Sequence, residues 1–127
     1  MYENSEDFRG YGEADLAIRS AGANSHQLVL MLFGGLMDEL VRAKGHVEAH
    51  RLERKTTSIS KCIDILNALT SVLNYQQGGE LANRLASLYD YCVYRLYDAS
   101  NTMSINRIEE VQHIVSELHL GWQEMKS

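Results

Sequence analysis

Proline is absent from this 127-residue chain, and glycine fills only nine positions. With the strongest breaker of helix interiors missing, long uninterrupted helices are the first expectation. No apolar run reaches the roughly 18 residues that would suggest a membrane span, so membrane insertion is not expected. The opening residues, Met1 to Phe8, are acidic and lack the basic and apolar regions of a secretory leader. A cytoplasmic location follows as the expectation. Cysteine is scarce as well. Cys62 and Cys92 both lie in helix-patterned segments, where they read as small buried apolar residues rather than as a disulfide or a metal pair.

Basic stripes are also missing. The formal charge is -5, and most of it sits at the start. Glu3, Glu6, Asp7, Glu13 and Asp15 face Arg9 alone, giving -4 within residues 1–15 and -1 for all the rest. Phosphate contacts require clustered Lys and Arg, so no nucleic-acid partner is expected.

What is present is a chain long enough for one domain with its own core. Residues 1–23 are irregular or partly helical in pattern, with isolated apolar residues at Tyr2, Phe8, Tyr11, Leu16 and Ile18. Asn24 is suited to cap a first helix, with Gln27 placed to complete a capping box. That helix is predicted to run to about His50. Arg51 to Arg54 read as a polar connection before a second helix, Lys55 to Asn74. Tyr75-Gln76-Gln77-Gly78-Gly79 reads as a turn, because paired glycines adopt positive φ without strain. A third helix is predicted over 80–101 and a fourth over 105–125. Long helices with short connections pack as antiparallel neighbours. The expected fold is therefore all-α: an antiparallel four-helix bundle over 24–127, preceded by a capping segment over 1–23.

Helix faces carry the functional signal. At 100° per residue, Ile108, Val111, Ile114, Val115, Leu118, Trp122 and Met125 fall within about 120°, one stripe for one packing surface. The first helix has a main stripe of Leu28, Val29, Leu32, Leu36, Leu40, Ala43 and Val47. Leu30, Phe33, Met37 and Val41 widen its apolar arc to about 220°. In the second helix Ile65, Ala68 and Val72 lie nearly opposite Ile59, Cys62, Ile63, Leu66, Leu69 and Leu73. In the third, Ala86, Val93 and Tyr97 flank a stripe of Leu81, Leu85, Leu88, Tyr89, Cys92, Leu96 and Ala99. A central helix with many neighbours also needs a wide arc. Surplus apolar surface on three helices points to a partner. Leu30, Phe33, Met37, Ile65, Val72, Val93 and Tyr97 are the candidate partner-binding residues. Phe8 and Tyr11 are candidates to cover the same groove, beside the plainer reading of an ordinary tail.

Signals for catalysis are weak. His46 and His50 stand four apart, but Glu48 is misplaced for the zinc-protease pattern. Glu110 and His113 have the spacing used in di-iron bundles, yet a second such motif is missing and Glu110 lies toward the polar side of its helix. No phosphate-binding glycine loop occurs. Gly34 and Gly35 lie inside a helical pattern, where each costs about 1 kcal/mol relative to Ala, and close helix contact is the simplest compensation. No catalytic residue, metal site or cofactor is expected. A metal-dependent helical-bundle enzyme stays open as an alternative.

Ser25-His26-Gln27-Leu28 and Met31-Leu32-Phe33-Gly34-Gly35, with the run from Gly78 to Tyr91, resemble the flagellar secretion chaperone family FliS. Arg95-Leu96, Asn101, Glu110-Val111 and Trp122 continue the resemblance in order. Ser25 stands where the family often has proline, and Gly34 where it often has Asp. The resemblance implies a non-enzymatic helical bundle that binds the C-terminal segment of flagellin. It implies that the segment becomes partly helical as it wraps the chaperone, which blocks premature polymerisation. It further implies delivery to a component of the flagellar type III export gate, and that Tyr11 belongs to a segment linked to groove capping and gate recognition. An adaptor that sequesters another export-related protein, and a weak homodimer, are also left open.

Overall fold

The computed structural model describes residues 25–125. Four helices account for nearly all of them: α1 (Ser25–Glu48), α2 (Leu52–Ser71), α3 (Tyr75–Thr102) and α4 (Ile105–Glu124). α1 packs against α2 and α4, and α3 packs against the same two, so the helices stand at the corners of a square. Their directions alternate. Lys55 at the start of α2 meets Ser100 near the end of α3. Phe33 early in α1 meets His119 late in α4, and Lys44 late in α1 meets Glu109 early in α4. This is the expected antiparallel four-helix bundle.

The interior is made by the main stripes. Leu36, Leu40, Ala43, Cys62, Leu66, Leu69, Cys92, Leu96, Ala99, Ile108, Val111 and Val115 form one buried cluster. Both cysteines are buried and free, as their apolar settings suggested.

Element ends depart from expectation for local reasons. α2 begins at Leu52 rather than Lys55. The chain reverses in three residues, since Arg51 N donates to His46 O (2.9 Å) and His50 N to Val47 O (3.1 Å). His50 takes the left-handed conformation (φ 55°) that closes this helix-ending motif. Met103 (φ 53°) does the same after α3, with Ser104 N donating to Ala99 O at 3.1 Å. At the next connection α2 stops at Ser71, not Asn74. Asn74 instead caps α3, its side chain accepting from Gln77 N at 3.1 Å. The residues expected to form a turn start α3 with a helical turn. The break falls at Gly79 alone (φ 52°, ψ -122°), a conformation open to glycine. Met125 lies just past α4, exposed. Residues 1–23 and the cap expected from Asn24 lie outside the described residues.

Candidate partner-binding surface

Phe33 faces α4. Its ring stacks on His119 (5.8 Å) and meets Trp122 (6.5 Å), while His26 stacks on Trp122 at 5.9 Å. Phe33 is only 1% exposed and so belongs to the interior. Leu30 and Met37 lie farther round the same flank of α1, half-buried at the outer edge of the α1/α4 seam. Val41, 61% exposed, continues that edge.

The other candidates lie on other seams. With the helices alternating in direction around the square, the Ile65–Val72 flank of α2 turns to α1. Ile65 is 1% exposed and joins the core, while Val72 is half-buried against it. A helix at the corner of a square meets a neighbour on each flank, which is why the off-stripe Ile65 is consumed inside and Val72 is partly covered. Val93 and Tyr97 belong to the α2 side of α3, the side on which Lys55 Nζ donates to Ser100 O (3.0 Å) and Oγ (3.1 Å). Val93 is half-buried and Tyr97 is 57% exposed. The seven candidates among the described residues therefore lie on more than one seam. Phe8 and Tyr11 lie outside the described residues, two fill the interior, and the rest edge three different seams.

The α3/α4 seam is closed by polar groups. Tyr91 Oη donates to Glu110 Oε2 (2.7 Å) and Arg95 Nε donates to Glu110 Oε1 (2.6 Å). Asp98 pairs with Arg107 and, at 3.7 Å, with Arg95. The Glu110 side chain keeps 37% of its surface exposed, and the polar side of α4 at this point abuts the polar side of α3. The hydrogen bond from Tyr91, then that from Arg95, holds the Glu110 carboxyl below its ordinary range. The same bond to Glu110 raises the Tyr91 phenol. His113 is exposed, 3.9 Å from Glu117. At the other histidine pair, His46 Nδ1 accepts from Arg51 Nε at 3.0 Å, and desolvation followed by the nearby arginines lowers its pKa. Among the described residues no group of three His, Cys, Asp or Glu is placed to hold a metal, and no helix is long and apolar enough to cross a membrane.

Several exposed apolar side chains were not among the candidates: Leu52, Leu81, Tyr91, Tyr94 and Leu120. Tyr91, Tyr94 and Tyr97, three residues apart, form a ridge on the outside of α3. Their spacing was visible in the sequence. Tyr91 and Tyr94 fell outside the apolar arcs because they lie about 100° or more round the helix from Cys92.

Comparison with known proteins decides the family. The profile described as Flagellar protein FliS matches residues 9–127. This chain belongs to the FliS family. One FliS relative, the flagellar secretion chaperone of Salmonella typhimurium, is 34% identical over 126 residues, covering 98% of this chain and 93% of that protein. The Escherichia coli FliS is 34% identical over 87% of this chain and 84% of its own length. The FliSB chaperone of Pseudomonas aeruginosa is 31% identical over 88% and 89% respectively.

Proposed function

We propose that this FliS-family member is a flagellar type III export chaperone. It binds the C-terminal segment of flagellin in the cytoplasm, prevents premature polymerisation and passes the client to the export gate. One observation carries the reading. After the interior is filled, apolar side chains remain at the outer edges of three seams, at Leu30, Met37, Val41, Val72, Val93 and Tyr97. Surplus apolar surface of this kind on a small bundle suits amphipathic helices. Relatives covering most of the chain are named flagellar secretion chaperones, which supports the same client class.

The mechanism is occupancy. A flexible segment that becomes ordered on the bundle cannot at the same time pack into a growing filament. Ordering costs conformational entropy and burial of apolar surface offsets it. Coupled folding and binding leaves a net affinity well below the gross interaction, so release at the gate needs no covalent step. The deciding experiment is co-purification with flagellin. Intact flagellin should elute with the chaperone and flagellin lacking its C-terminal segment should not. Retention of both, or of neither, would reject the reading.

A further inference from the structure

Among the described residues one cation, Lys55, is buried and forms no ion pair. It lies in the first turn of α2 and is 8% exposed. Lysine is almost never buried unless it is paired. Here Nζ donates to Ser100 O at 3.0 Å and to Ser100 Oγ at 3.1 Å. Both acceptors are neutral. Ser100 lies in the last turn of α3, so its carbonyl is one of those that a helix end leaves open. A cation suits that end, but the helix supplies only about half a negative charge against a whole positive one. An ammonium also has three N–H donors, and Ser100 takes two of them.

The neighbouring residues add to the positive charge. Arg51, Arg54 and Lys55 stand against Glu53 alone, in a chain whose formal charge is -5. Arg51 and Arg54 are exposed, and after desolvation both act to lower the pKa of His46. Each of the two helices also offers an apolar side chain at this corner. Leu52, just before Lys55 on α2, is 61% exposed, and Tyr97, just before Ser100 on α3, is 57% exposed. Lys55 is thus a recessed ammonium with exposed apolar groups beside it and two further cations around it.

That combination fits a carboxylate carried on an apolar chain. A recessed seat suits a chain end, which has no residue to continue beyond it, and capture of a terminal carboxylate is a recurring mode of peptide recognition. The client segment of the chaperone reading ends in such a group.

We infer that Lys55 seats the terminal carboxylate of the client, with the last apolar residues of the client lying on Leu52 and Tyr97. The inference rests on the chaperone reading above. It assigns the end of the client to one corner of the bundle, where α2 begins and α3 ends.

Calorimetric titration with a synthetic C-terminal segment of the organism's own flagellin, made once as the free acid and once as the C-terminal amide, tests it. The acid should bind the unaltered protein about tenfold or more tightly than the amide. Amidation removes a charge that opposes the dipole of a client helix, so any effect on helix formation runs the other way. On Lys55→Met the two forms should bind alike. Leu52→Ser, at an exposed position that the core does not use, should weaken both forms by about fivefold and serves where Lys55→Met does not fold. If acid and amide bind the unaltered protein equally, no terminal carboxylate is seated, and the inference falls while the chaperone reading stands. A preference for the acid that persists in folded Lys55→Met, or affinity untouched by Leu52→Ser, puts the seat elsewhere and overturns the inference as well. If the unaltered protein binds neither form, the chaperone reading fails and takes the seat with it.

Discussion

Cys62 and Cys92 show how burial sets chemistry at a single position. Both are fully buried. Desolvation pushes the Cys92 thiol up to about 12 and the Cys62 thiol higher still, so neither supplies thiolate near neutrality. In the folded protein at pH 8, a thiol-specific disulfide reagent should label neither cysteine, and in urea it should label both. Labelling without denaturant at the rate of a free thiol would mean that the helices part locally. The burial of the two cysteines was readable from the sequence because each sits on its helix's main stripe. Phe33 and Ile65 were not readable in the same way. Each lies off its main stripe, and only the placement of a neighbouring helix decides whether such a residue faces protein or solvent.

Among elements, helix type and number followed from the periodicity and the missing proline, and the boundaries did not. α1 and α3 both end on left-handed residues that are not glycine, His50 and Met103. Glycine is the usual mark of that conformation, so the stop after α1 carried no letter to read. The α3/α4 clasp was equally hidden, because it depends on the register between Tyr91, Arg95 and Glu110. Its pH dependence can be worked out. The Glu110 carboxyl is lowered in the folded protein, so its contribution is complete above the ordinary carboxylate range and is lost as pH falls through the lowered value. The Tyr91 phenol is raised, so its contribution is complete below the ordinary tyrosine range and is lost as pH rises through the raised value. Glu110→Gln should therefore lower the melting temperature at pH 7, and its deficit against the unaltered protein should shrink toward pH 3. A deficit that stays constant from pH 7 to pH 3 would show that the carboxylate charge contributes nothing to holding the seam.

For the whole molecule, the edges that remain apolar are spread around the bundle and not gathered in one trench. Met37, Val72 and Val93 pack against the core from three different seams, each leaving part of its surface outside. A single helix in a single groove would leave most of this surface uncovered. Under the proposed function, an extended client passing from seam to seam would cover it, each seam contributing a modest share. Linked contacts of this kind gain from effective concentration, since binding at one seam holds the next part of the client close to its own. Cutting the flagellin C-terminal segment into two peptides at its centre should expose that gain. Each half should bind the chaperone weakly, and the joined segment should exceed either half by about 100-fold or more. Adding both halves together should not restore the joined affinity, because the link, not the contacts alone, supplies the difference. If one half keeps the full affinity in calorimetry, the client uses one seam only, and the apolar edges on the other faces serve some purpose other than holding it.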